Sequence, residues 1–104
     1  MRKLVLLALA ASLGSTAALA APGSSHFAGA ELLPQAKITL AKARSSALAA
    51  RPGVITDQEL EKERGGTGLR YSFDIKSKGK TFEVGIDART GKVLENDAEG
   101  ANPD

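Results

Sequence analysis

The chain has 104 residues, enough for one small domain, and carries 14 basic and 12 acidic side chains, one histidine and no cysteine. The lack of cysteine excludes disulfides, cysteine nucleophiles and thiolate metal sites, and a single histidine excludes a two-histidine zinc motif. The near balance of charge argues against a nucleic-acid partner. We therefore predict a protein that is not an enzyme and uses no cofactor.

The first twenty residues have the pattern of a secretory signal peptide. Arg2 and Lys3 form a charged start, Leu4 to Leu13 is an apolar run, and Ala18-Leu19-Ala20 supplies the small residues of a cleavage site. The apolar run is too short to span a bilayer. We predict cleavage after residue 20, a periplasmic or secreted location, and no stable membrane insertion of the cleaved protein.

The remaining sequence divides into three parts by composition. Residues 21–34 are mostly small and polar, which predicts a flexible lead-in, and residues 35–94 hold nearly all of the large apolar side chains that could form a domain. Residues 95–104, ENDAEGANPD, are acidic and lack large apolar side chains, which predicts a disordered tail.

The domain begins with a helical pattern. Thr39 is a candidate N-cap, and the apolar residues after it recur at helical spacing. The predicted buried face consists of Leu40, Ala43, Ala47 and Leu48. Arg51-Pro52-Gly53 ends the helix, because proline disfavours helical geometry in the residue before it.

The pattern then changes to the alternation typical of strands. Val54 to Glu63 is read as a first strand that is at the sheet edge or twisted, with Val54, Thr56, Gln58 and Leu60 on one face. A hairpin turning at Lys78-Gly79 would pair Ile75 with Phe82, Phe73 with Val84, and Tyr71 with Ile86.

A second hairpin follows at the motif that contains Asp87, Thr90 and Gly91, and leads into Val93-Leu94. The aspartate is suited to bond the turn backbone and the glycine to adopt positive φ, so we assign this motif a structural role. The predicted fold class is α+β, with one N-terminal helix packed on a three- to four-stranded antiparallel meander sheet.

The residues from Ile38 to Leu94 resemble the PepSY domain, above all at DARTGKV, residues 87–93. The resemblance implies a helix packed on an antiparallel sheet, occurrence in metallopeptidase propeptides and exported proteins, and a role in peptidase inhibition. It transfers no catalytic or ligand-binding residue. Gly85 departs from the family, which commonly has a larger residue there, and this difference predicts a looser strand.

Two surface clusters are candidates for binding. Glu59, Glu61 and Glu63 would share one strand face, where they could attract a divalent cation or simply keep the edge solvated. The second cluster, Lys76, Lys78 and Lys80, surrounds the hairpin tip and could contact an acidic protein partner or serve only as a soluble loop.

We predict an exported non-catalytic binding or regulatory module that acts on a protein, with an exported peptidase as the candidate partner. The alternative is a small-ligand or metal-ion binding protein of the envelope.

Overall fold

The computed structural model describes residues 26–100, in which one helix packs on one face of a four-stranded sheet. The elements in chain order are a 3₁₀ helix (Ala30–Gln35), α1 (Leu40–Ala50), β1 (Val54–Lys62), β2 (Leu69–Ser77), β3 (Lys80–Asp87) and β4 (Val93–Ala98). The strands lie in the order β1-β2-β3-β4, and each neighbouring pair is antiparallel. The predicted α+β meander is therefore confirmed. The predicted signal peptide lies outside the described residues.

The helix α1 begins and ends where the sequence predicts. The Thr39 Oγ1 accepts a hydrogen bond from the backbone N–H of Lys42 at 3.1 Å, which satisfies one free donor of the first turn. Ala43 and Ala47 are fully buried against the sheet, because their small side chains let the helix approach closely. No helix among residues 26–100 is long and apolar enough to cross a membrane.

The hairpin of β2 and β3 forms the centre of the core. Its turn is Lys78-Gly79, both residues having positive φ (53° and 82°), and its register is the predicted one. The large side chains that this register buries are Tyr71, Phe73, Ile75, Val84 and Ile86, each at most 1 % exposed. The Tyr71 hydroxyl donates a hydrogen bond to the carbonyl of Ile38 at 2.8 Å, so the one polar atom of this cluster has a partner.

Strand β1 differs from the prediction at its start. The pairing with β2 shifts between Ile55 and Asp57, so that Thr56 is an extra residue and the alternation reverses across it. Ile55 is buried and Val54 is 57 % exposed, the opposite of the predicted arrangement. The face assignment was wrong there because a β-bulge leaves no mark on a simple alternating pattern.

The predicted flexible lead-in is ordered from residue 26 onward. The Leu60 backbone N–H donates to the Ala28 carbonyl at 2.8 Å, which joins the lead-in to the edge of β1, and Phe27 and Leu32 pack against the core. A 3₁₀ helix follows at Ala30–Gln35. The prediction was wrong for residues 26–34, while residues 21–25 lie outside the described part.

The predicted disordered tail is also wrong over its first residues, because β4 extends to Ala98. Polar residues can form this strand since its main support is the backbone ladder with β3. Asn96 adds a specific contact: its Nδ2 donates to the Ala50 carbonyl at 3.2 Å and its Oδ1 accepts from Arg51 Nε at 3.1 Å. The strand is thereby attached to the C-terminal end of α1. Residues 101–104 lie outside the described part.

Candidate functional site

The sheet has one covered and one open face, and the open face is acidic. The helix packs on the side that carries the apolar residues, and among residues 26–100 no other element covers the opposite side. One row of directly paired residues crosses all four strands of the open side with a carboxylate at every position: Asp57, Asp74, Glu83 and Asp97. Adjacent members of the row are separated by only about 4.8 Å across the ladder, so this row concentrates negative charge.

The predicted glutamate stripe belongs to the same face. Glu59, Glu61 and Glu63 line a shallow cavity of about 350 Å³ together with residues of the acidic row. Glu61 is fixed there, since its Oε2 accepts a 2.7 Å hydrogen bond from Ser72 Oγ. We call the acidic face the set formed by Asp57, Glu59, Glu61, Glu63, Asp74, Glu83, Glu95 and Asp97. Within residues 26–100, no three aspartate, glutamate or histidine side chains converge as metal ligands.

Crowding on the acidic face alters the titration of its carboxyls. Partial burial raises the pKa of four of them, and the negative charges of neighbouring carboxylates raise it further: Glu59, Glu63, Asp74 and Glu83. For Glu59, the added charges are those of Glu61, Asp57 and Asp74. The face therefore holds ionised groups that repel one another, and a cationic group placed on it would relieve that repulsion.

One arginine lies within the acidic face, and the sequence analysis did not single it out. Arg70 is 7 % exposed; its Nη1 forms an ion pair with Glu95 Oε1 at 3.0 Å and its Nη2 donates to the Arg64 carbonyl at 3.2 Å. Its Nε has no hydrogen-bond partner among the described residues. A Cβ on Gly85 would lie 2.9 Å from Nη1, so the absence of a side chain at Gly85 makes room for the guanidinium. The space left by Gly85 is filled by Arg70, which explains how a glycine is accommodated in the centre of the sheet.

The three predicted lysines do not form one cluster. Lys76 follows Asp74 by two residues in β2 and so lies on the open side of the sheet. Lys78 and Lys80 instead line a cavity of about 440 Å³ with Arg51, Pro52, Ser77 and Phe82, which we call the basic pocket. The guanidinium of Arg51 lies over the Phe82 ring, with Cζ 3.8 Å from the ring centroid. The sequence does not indicate the contribution of Arg51, because it requires the helix C-terminus to meet the hairpin.

The motif around Asp87 forms the turn that the sequence predicts and also holds a second loop. The buried Asp87 carboxylate accepts hydrogen bonds from the backbone N–H groups of Thr67, Arg89 and Thr90 and from the Thr67 hydroxyl, at 2.7 to 3.0 Å. Despite the opposing effect of burial, these bonds lower its pKa to about 2. Gly91 has a φ of 84°, as the turn requires. The motif thus ties the β1–β2 loop to the β3–β4 turn.

The only histidine of the sequence lies at the margin of the acidic face. His26 Nε2 is 3.8 Å from Asp57 Oδ1, and the His26 side chain is 65 % exposed.

Comparison with known families matches the part of the chain that forms this fold. The family model described as PepSY, peptidase propeptide and YPEB domain, matches residues 37–97, more than half of the chain. The matched range begins just before α1 and includes most of β4, in agreement with the longer sheet that the structure shows. No curated protein and no solved structure matches the chain.

Proposed function

Because the chain belongs to the PepSY family, we propose that it is an exported, non-catalytic module that binds a peptidase and restrains it by protein–protein contact. Membership of this family is consistent with a regulatory or binding module of the peptidase-propeptide kind. The single observation that supports a contact surface is the uncovered acidic face. A partner that presents lysine or arginine side chains would complement it.

The size of the acidic face bears on the strength of such a contact. Four strands about 4.8 Å apart and about 20 Å long give a flat area of roughly 400 Å². A standard stable interface buries about 800 Å² on each partner. We therefore propose a contact that is steered by charge, weakens with added salt, and involves flanking turns as well as the face itself.

The test is to titrate the purified chain into exported metallopeptidases of the same host and to measure the rate of peptide hydrolysis at two ionic strengths. We expect slower hydrolysis, with a stronger effect at low salt. Glu83→Gln, in the centre of the acidic row, should weaken the effect without destabilising the fold, because it relieves repulsion there. Glu31→Gln is the matched control, since Glu31 is exposed and lies in the 3₁₀ helix.

Two results would contradict the proposal. If no peptidase is slowed at any ratio of the two proteins, the family membership describes the fold alone. If the peptidase is slowed equally by Glu83→Gln and Glu31→Gln, the contact does not use the acidic face.

A further inference from the structure

The basic pocket contains an arginine whose guanidinium is held in a fixed position. One face of the Arg51 guanidinium packs on Phe82, and its Nε donates to Asn96 Oδ1 at 3.1 Å. Asn96 is itself bonded to the Ala50 carbonyl at 3.2 Å, so its position is determined by the end of α1. The terminal Nη1 and Nη2 groups have no hydrogen-bond partner among the described residues. They form the part of the guanidinium that is suited to bind an oxyanion through two parallel bonds.

Among residues 26–100, no carboxylate forms an ion pair with the cations of the basic pocket. The ion pairs found there join His26 to Asp57 and Arg70 to Glu95, and neither involves Arg51, Lys78 or Lys80. Three like charges around one cavity repel one another. An anion in the cavity would attract all three cations and so offset their mutual repulsion.

The backbone at Lys78 is a second, independent indication. Lys78 is the only non-glycine residue with positive φ in the part of the chain that the structure describes, with a φ of 53°. Asparagine, aspartate or glycine is the favoured residue at this position of a two-residue hairpin turn. A lysine in this conformation is energetically unfavourable, and such backbone strain is concentrated at functional positions. The turn thus places a cation at the rim of the cavity at the expense of local stability.

We propose that the basic pocket binds a carboxylate-bearing peptide segment of a partner protein, in which an acidic side chain is followed by an apolar one. The free edge of the Arg51 guanidinium binds the carboxylate, and Lys78 and Lys80 supply the neighbouring charge. Phe82, which is half-buried, and Pro52 contact the apolar side chain. This site is separate from the acidic face and does not rest on the proposed inhibition of a peptidase.

A protein partner fits the pocket better than an anionic membrane surface does. The cations surround a cavity rather than a broad flat patch, and Glu99 lies near Lys80 on its other side, where the two line a neighbouring cavity. A bilayer would approach this carboxylate and the acidic end of β4 together with the lysines. A short acidic segment can enter the cavity without approaching them.

The test is an NMR titration of the purified, isotope-labelled chain with the blocked peptide Ac-Glu-Leu-Glu-NH₂. We expect saturable shifts at the amides of Lys78, Lys80 and Phe82 and at the Arg51 side-chain Nε–H. The amide counterpart, Ac-Gln-Leu-Gln-NH₂, should produce no such shifts. If both peptides bind equally, the pocket does not recognise a carboxylate and the proposal is wrong.

The variant Lys78→Asn separates binding from folding. Asparagine suits the positive φ, so the thermal midpoint should stay the same or rise, whereas the affinity for the acidic peptide should fall by about two- to fivefold. Lys92→Asn is the control, because Lys92 is exposed and lies at the opposite end of β3. Equal affinities of both variants and the unmodified chain would overturn the proposal.

Two further probes address the other sources of an anion. Inorganic phosphate that binds the same residues as tightly as the acidic peptide would overturn the assignment to a peptide. The second probe is a vesicle of anionic phospholipid. If the chain binds such vesicles but not the acidic peptide, and Lys78→Asn abolishes the vesicle binding, the pocket binds a membrane surface and the proposal is wrong.

Discussion

At the scale of single residues, Asp87 is the side chain that holds together the β1–β2 loop and the β3–β4 turn. Its carboxylate accepts four hydrogen bonds and joins two loops that are distant in sequence. Asp87→Asn replaces one acceptor oxygen by an NH₂ donor; with the three bonds of Oδ1 kept, this donor faces the backbone N–H of Thr67. We expect a loss of about 2–4 kcal/mol in the free energy of unfolding, measured by urea denaturation. Asp97→Asn, an exposed change of the same kind, should cost almost nothing.

Acid titration gives a second test of the same residue. Because the folded pKa of about 2 lies below the ordinary value of 3.8, the contribution of Asp87 to stability is complete above 3.8 and is lost as the pH falls towards 2. The Asp87→Asn variant should therefore lose less stability over this interval than the unmodified chain does. An identical acid transition in both would show that Asp87 is not stabilised by its hydrogen bonds.

Gly85 and Arg70 form a second residue-level pair. A Cβ at Gly85 would lie 2.9 Å from Arg70 Nη1, so Gly85→Ala should displace the guanidinium from Glu95 and cost about 1–3 kcal/mol. The matched measurement is the same substitution in a Glu95→Gln background. If the interpretation is right, the cost there is smaller, because the ion pair is already lost. Equal costs in both backgrounds would show that Gly85 does not serve this pair.

At the scale of secondary structure, β4 is an integral strand of the sheet. A chain that ends at Leu94 would lose the partner of β3 and would leave Arg70 without Glu95, whereas a chain that ends at Gly100 would retain both. We expect the shorter truncation product to lose at least about 2–3 kcal/mol in the free energy of unfolding, because it loses the ladder with β3 and leaves Arg70 unpaired. The cost of the lost ion pair is moderated because Glu95 is one-third exposed. The longer one should match the full chain in thermal midpoint. A protein that ends at Leu94 and keeps the thermal midpoint of the full chain would contradict this role of β4.

An element can be predicted from the sequence when the interactions that stabilise it leave a pattern in the sequence. The hairpin of β2 and β3 buries an apolar side chain at every second position on both strands, so its alternation determines the register. The strand β4 contributes mainly backbone bonds and the amide of Asn96, and a run of Glu, Asn and Asp has the composition of a tail. The bulge at Thr56 adds one residue to β1 without changing the kinds of residue there, so the sequence gives no sign of it. The two binding surfaces likewise depend on contacts between distant segments, such as Arg51 with Phe82, that no local pattern shows.

At the scale of the whole molecule, the sheet separates the charges. Without the predicted signal peptide, the sequence has 12 basic and 12 acidic residues, yet the acidic face lies on the open side while the basic pocket lies at the helix end of the covered side. A net charge near zero therefore conceals two surfaces of opposite sign. A partner that offers both signs would be oriented by them as it approaches.

The acidic face also determines how stability should depend on pH. The folded pKa of Glu59, Glu63, Asp74 and Glu83 is raised, so these groups bind protons more readily in the folded state than in the unfolded state. As the pH falls from neutral towards the ordinary values of 4.5 for Glu and 3.8 for Asp, the free energy of unfolding should therefore increase, because burial and the neighbouring charges both disfavour the ionised carboxylates.

The rise should end where Asp87 begins to lose its charge-dependent bonds, so urea midpoints measured across this range should pass through a maximum at mildly acidic pH. Added salt should weaken the pH dependence of stability above this maximum, because the carboxyls of the acidic face are partly exposed and salt screens their repulsion. Glu83→Gln should flatten it as well, whereas Glu31→Gln should leave it unchanged. A stability that increases steadily from about pH 5 to about pH 7 would show that repulsion on the acidic face does not reach the folding equilibrium.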